Sequence, residues 1–207
     1  MRHLHALRHV ARAVTVLAVG ALALAASAQP QPMAGGASSR SEGTGVAQYG
    51  DEWFAAARAG RVDILQALLD AHFALETATP EGHTALILAA YNAHPDALKL
   101  LMSAGANACA ADRNGNSALM GALFKGETGI AKMLLDTRCD IDQTNNAGET
   151  ALAFAALFGR LDMLPLLVAR GADPNHIDAR GGTPLQMAIA QRNTTAAEAL
   201  RTVGATH

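Results

Sequence analysis

The chain has 207 residues, 50% of them hydrophobic, with 16 Lys+Arg against 18 Asp+Glu and a formal charge of −2. A near-neutral chain without Lys/Arg clusters lacks the electrostatic footprint of a nucleic-acid-binding protein. No Cys-x-x-Cys or His-Glu-x-x-His occurs, so zinc sites of those spacings are excluded too.

Arg2, Arg8 and Arg12 precede an apolar run from Val14 to Ala25, and Ala26-Ser27-Ala28 follows. This is the order of a secretory signal peptide, predicted over residues 1–28 with Gln29 as the mature N-terminus. An uncleaved anchor is the alternative, but the run is short of the roughly 20 residues that a spanning helix needs. No stable membrane insertion is expected after cleavage. Cleavage would remove three Arg and no acid, leaving 13 Lys+Arg against 18 Asp+Glu and a charge of −5. The predicted location is the periplasm, an oxidising compartment. Residues 29–48, Gln-Pro-Gln-Pro followed by a stretch of Gly, Ala and Ser with one Thr, are too poor in large apolar side chains to offset ordering entropy and are predicted as a flexible linker.

From Tyr49 onward the chain repeats. Gly82, Gly115, Gly148 and Gly181 stand 33 residues apart, each followed two residues on by Thr84, Ser117, Thr150 or Thr183. A fixed period of this length marks stacked units that cannot bury their apolar faces alone. Five units superimpose in register: 49–81, 82–114, 115–147, 148–180 and 181–207. Each opens with a predicted helix capped by the Thr or Ser hydroxyl, with Pro184 placed where its missing N–H costs nothing. Ala89, Ala122, Ala155 and Ala188 allow close helix approach, and Gly60, Gly126 and Gly159 suit left-handed helix ends. A second helix starts near Asp63, Asp96 or Asp162, matching the positive end of the helix dipole, and continues with apolar residues at helical spacing. Asp112, Asn145 and Asp178, three residues ahead of the register glycines, are expected to hold the connecting turns. The end units depart from the pattern, as caps of a stack should.

These anchors resemble the ankyrin-repeat family pattern, Gly-x-Thr-Pro-Leu-His-x-Ala-Ala, then Gly, a Leu-rich helix and Gly-Ala-Asp, matched most closely by 148–175. The resemblance covers about 49–207 and implies an all-α solenoid of about five stacked helix-turn-helix units joined by β-turn or hairpin loops. Departures are the family His, replaced by Ile87, Met120, Ala153 and Gln186, and the Pro, retained only as Pro184. Arg138-Cys139-Asp140 stands for Gly-Ala-Asp, and Ala93 stands where Gly is usual. Pro165 and Gly129 are expected to weaken their second helices.

Repeat register also picks out a surface. In the family fold, turn tips and exposed first-helix positions form the concave face. The matching first-helix positions include Tyr91 and Asn92, Phe124 and Lys125, and Leu157 and Phe158. At the turns the candidates are Arg113, Asn114, Asn116, Asn146, Glu149 and Arg180, beside Pro80, Glu81 and His83. The period places Tyr91, Phe124 and Leu157 in one line, giving a stripe with an apolar centre and polar edges that suits a protein partner. The alternative is that these aromatics only cover the gap between adjacent helices.

Competing chemistry is weaker. Ser117 is in register with Thr84, Thr150 and Thr183, which marks it as a cap instead of a nucleophile. Cys109 and Cys139 do not occupy corresponding positions. With one repeat and three extended residues between them, they are expected beyond the roughly 7 Å Cα limit for a disulfide, as reduced small apolar residues. A redox or intermolecular role for either is the alternative. The resulting expectation is a non-enzymatic periplasmic interaction protein with no cofactor, a monomer or weak homo-oligomer, that binds a partner protein on its concave face. The expected partner is an exported enzyme or toxin that it inhibits, or one that it stabilises; resemblance to exported bacterial members implies stress protection, such as support of an antioxidant enzyme. The competing class is a redox-active or enzymatic protein using Cys109 or Cys139.

Overall fold

The computed structural model describes residues 42–207, with side chains from Tyr49 onward. The predicted signal peptide and most of the predicted linker therefore lie outside the described residues. The compact unit Gly45–His207 is a run of helix pairs. They are α1 Glu42–Ala59 and α2 Val62–Asp70, α3 Ala85–Tyr91 and α4 Pro95–Ser103, α5 Ala118–Lys125 and α6 Thr128–Leu135, α7 Ala151–Leu157 and α8 Leu164–Ala169, and α9 Pro184–Ala190 and α10 Thr194–Thr202. No strand longer than an isolated bridge occurs among the described residues; two such bridges, Ala78 to Thr84 and Ala111 to Ser117, close turn hairpins.

The first helices begin where the hydroxyls stand. Thr84, Ser117, Thr150 and Thr183 each accept the backbone N–H three residues on, and Gln186 completes a capping box with Thr183. Each cap contributes about 1 kcal/mol. Between helices of neighbouring units lie two registered columns. Ala56, Ala89, Ala122, Ala155 and Ala188 are all buried, letting the first helices approach closely. Leu68, Leu101, Leu134, Leu167 and Leu200 form the second column, also buried, each contributing roughly 1.5–3 kcal/mol. In the first unit, Trp53 takes the place of Leu86 and packs against Phe73 at 5.3 Å.

Each connecting turn is held by one side chain. Thr79, Asp112, Asn145 and Asp178 accept the N–H groups two and four residues ahead, at 2.8–3.3 Å. Successive tips are joined by backbone bonds from Arg113 N to Glu81 O, Asn146 N to Asn114 O and Ala179 N to Ala147 O, each 2.9 Å. This ladder accounts for the register glycines. All four have φ between +75° and +87°, a region that side chains disfavour. A Cβ at Gly82, Gly115 or Gly148 would also lie within 2.8 Å of the next unit's tip backbone, whereas one at Gly181 would have open space among the described residues.

Three expectations change. Helix α1 starts at Glu42, inside the stretch read as linker, because extending a formed helix adds a hydrogen bond per residue without a new nucleation cost. The second helix of the fourth unit is split into a 3₁₀ turn Leu161–Met163 and the six-residue α8, since Pro165 has no N–H to donate to Leu161.

The third is a correction. Cys109 and Cys139 form a disulfide with a Cα–Cα distance of 5.3 Å, so they are not the reduced pair expected. The intervening residues are not extended. Residues 107–110 and 140–143 each close a turn, with Ala110 N bonding Asn107 O and Gln143 N bonding Asp140 O. That turn brings each loop back against the start of the next unit's loop. Elsewhere the same junction is closed without sulfur. Glu76 accepts Asn107 N at 2.8 Å, Asp142 accepts Asp173 N at 3.0 Å, and Asn175 accepts Thr206 N at 2.8 Å. Glu76, Cys109, Asp142 and Asn175 are 33 residues apart, so the disulfide stands where the other junctions use a hydrogen bond.

Candidate functional site

A groove of about 700 Å³ runs across the first helices and their turns. Its apolar floor and walls come from Ile87, Leu88 and Tyr91 on α3, Gly121 and Phe124 on α5, and Phe154 and Phe158 at α7. Its turn side carries Glu81, His83, Asp112 and Asn116, and Arg58 closes the opposite side from the last turn of α1. Tyr91 and Phe124 remain 39% and 42% exposed, unusual for side chains of that size. They stack at 6.0 Å, Phe158 meets Phe124 edge-on at 4.8 Å, and Phe154 lies 5.5 Å from Phe158. Lys125 Nζ sits 4.8 Å from the Tyr91 ring centroid, which holds that ring in place.

Of the candidates, Tyr91, Asn92, Asn116, Phe124 and Phe158 line the groove, and Lys125 borders it through Tyr91. Leu157 does not. It faces a narrow cleft toward α9 beside Pro184 and Met187, so the aromatic line runs Tyr91, Phe124, Phe158 and shifts by one helical position in the fourth unit. The turn candidates join units to one another. Asn114 and Arg113 supply rungs of the tip ladder, and Asn146 Nδ2 donates to Arg113 O at 2.8 Å. Glu149 accepts from Asn145 Nδ2 at 3.0 Å and pairs with Arg180 at 3.4 Å.

Matches to family models cover two stretches. A model described as ankyrin repeats in three copies matches residues 53–145, and one described as ankyrin repeats in many copies matches 134–188. The chain belongs to the ankyrin-repeat family. No curated protein matches it significantly. Ankyrin repeats mark a protein–protein interaction module, and the groove holds the exposed rings of Tyr91 and Phe124.

Arg58, Ile87, Leu88, Gly121 and Phe154 were not foreseen as lining. Phe154 carried a signal, since it precedes Phe158 by four residues and shares its helix face. His83, one of the turn candidates, is partly covered, with Nε2 3.6 Å from Asp112 Oδ2. Ser117 shares the groove with this pair, but its Oγ accepts Met120 N–H at 3.3 Å and makes no hydrogen bond to His83. Glu81 is held below the usual carboxylate range, chiefly by the Thr79 hydroxyl and then by its own backbone N–H, and so keeps its charge at the groove edge. Among the described residues, no three His, Cys, Asp or Glu side chains gather where a metal could bind, and no helix is long and apolar enough to cross a membrane.

Proposed function

We propose that this chain is an exported, non-enzymatic interaction protein of the periplasm that holds a partner protein in its concave groove, inhibiting or supporting an exported enzyme. The observation that carries the reading is the exposed Tyr91–Phe124 stack, buttressed by Phe158, inside a concave surface. Aromatic side chains at the centre of a patch supply most of an interface's energy, and a pre-ordered array loses little entropy on docking. The Cys109–Cys139 disulfide supports export, because such bonds persist in oxidising compartments. It also occupies both thiols on which the redox reading depends.

Two measurements test this. Mass spectrometry of exported protein should find Gln29 as the mature N-terminus; an intact leader in the membrane fraction would overturn the location. Affinity capture from periplasmic extract should yield a partner that Tyr91→Ala with Phe124→Ala no longer retains, while thermal unfolding stays nearly unchanged. A variant that unfolds would show that these rings serve packing instead.

A further inference from the structure

Positions 88, 121, 154 and 187 correspond in successive units and read Leu88, Gly121, Phe154, Met187. Three carry a large apolar side chain, the first unit has Ala55 at this position, and the glycine, with no side chain at all, lies in the groove between Leu88 and Phe154. Gly121 has no backbone reason to be glycine. It lies inside α5 with ordinary helical φ, where glycine is unfavourable relative to Ala. A Cβ built on it meets only Tyr91 Cδ2 at 3.7 Å, an ordinary contact. What the glycine provides is an opening, walled by Leu88, Tyr91, Phe124, Phe154 and Phe158.

Charge is divided across this opening. Glu81 and Asp112 lie on the turn side, where the first helices begin. Arg58 and Lys125 lie at the far ends of α1 and α5. A first helix of seven or eight residues separates the two sides by about 10 Å. Arg113, at the turn tip, does not line the groove, and His83 sits against Asp112.

We infer that the Gly121 notch is a subsite for one large apolar side chain, aromatic or Leu, of a partner's peptide segment. A basic residue of that segment would lie toward Glu81, and an acidic one toward Arg58 and Lys125. The inserted side chain restores the column that Gly121 interrupts, and the divided rim fixes the direction of the segment. This rests on the concave-face reading above and specifies the partner.

The test is selection of random linear peptides displayed on phage against the full disulfide-bonded chain, with affinities then measured on the enriched peptides. Enrichment is expected for an aromatic residue or Leu flanked by Lys/Arg on one side and Asp/Glu on the other. Gly121→Phe, which places in α5 the residue already tolerated as Phe154 in α7, should weaken these peptides roughly ten-fold or more without lowering the melting temperature. Gly121→Leu, which copies Leu88 of the preceding unit, should behave alike and keeps the result readable if the larger ring disturbs α5. Glu81→Lys should reduce selection of the basic flank, and Arg58→Glu that of the acidic one. Peptides without an apolar anchor, or undiminished binding to both Gly121 variants, would overturn the notch. If the natural partner is lost with Tyr91→Ala and Phe124→Ala yet bound by Gly121→Phe, the concave face stands and the notch falls. A concentration-dependent dimer abolished by Gly121→Phe would assign the site to a second copy and overturn the proposal.

Discussion

Arg160 reaches back one unit into space that Gly126 leaves open. Its Nε donates to Leu123 O at 3.0 Å and its Nη2 to Phe124 O at 3.2 Å, closing the C-terminal end of α5, and a Cβ at Gly126 would lie 2.7 Å from Arg160 Cζ. The same pairing occurs two units earlier, where His94 Nε2 bonds Arg58 O at 2.8 Å over Gly60. Gly126 also has φ +86°. Gly126→Ala should therefore destabilise by about 2 kcal/mol, part from backbone conformation and part from the clash. Arg160→Ala should cost roughly 1–2 kcal/mol for two lost charge-assisted bonds at an exposed end. In the double variant the clash disappears, so urea denaturation should show a loss smaller than the sum; strict additivity would rule out the coupling.

At two of the five corresponding positions, Ala93 and Arg192, the residue is not glycine, whereas Gly159 keeps glycine with nothing reaching over it. Ala93, followed by Glu127 in place of a reaching base, has φ +63°, Arg192 has φ +57°, and His72, at the other helix end, has φ +59°. Each non-glycine residue there carries roughly 1 kcal/mol of conformational strain. Ala93→Gly, Arg192→Gly and His72→Gly should each raise stability by about 0.5–1 kcal/mol, additively because they lie in different units. A drop in melting temperature for all three would contradict this.

The features legible in the sequence are those that recur at fixed register. Thr84, Ser117, Thr150 and Thr183 cap their helices, and Asp112, Asn145 and Asp178 hold their turns, because each of these jobs is local. What escaped depends on how adjacent units meet. Period alone put Leu157 beside Tyr91 and Phe124, but a one-position shift at the end of α7 brings Phe158 there instead. Extended residues beside Cys109 and Cys139 would separate the two, whereas the turns at 107–110 and 140–143 bring them to bonding distance. Asn114, Asn146 and Glu149 lie at the turns and hydrogen-bond neighbouring residues of the array, contacts that their sequence positions do not reveal.

The disulfide should act as a junction staple. It closes a 30-residue separation, for which loop entropy gives roughly 2–4 kcal/mol. Cys109→Ala with Cys139→Ala should lose about that amount, and reductant should lower the melting temperature of the natural chain to match. Cys109→Asp with Cys139→Ala places at this junction the carboxylate that Asp142 supplies at the next, with alanine where Ala106 and Ala172 stand. It should recover about 1–2 kcal/mol through one charge-assisted bond and be indifferent to reductant. No recovery would show that this loop cannot form the hydrogen-bonded junction.

Asp178 makes the last hairpin sensitive to acid. The Gly182 N–H, opposed by burial and then aided by the Arg180 N–H and guanidinium, holds its carboxyl below the ordinary value of 3.8. A pKa depressed by folding means that the native state binds fewer protons than the unfolded chain does. The contribution is therefore complete above the unfolded value and is lost as pH falls below about 3.8 through the folded one. Asn145, two units' register away from Thr79 and one from Asp178, makes the same two backbone bonds without a titrating group. Asp178→Asn should thus keep the turn, give up part of the charge-assisted stability at neutral pH, and lose less stability than the natural chain between pH 4 and lower values. Amide exchange at Arg180 and Gly182 reads this directly. Protection there should fall with acid in the natural chain and stay flatter in Asp178→Asn, and equal acid dependence in both would show that the carboxylate is not the titrating group.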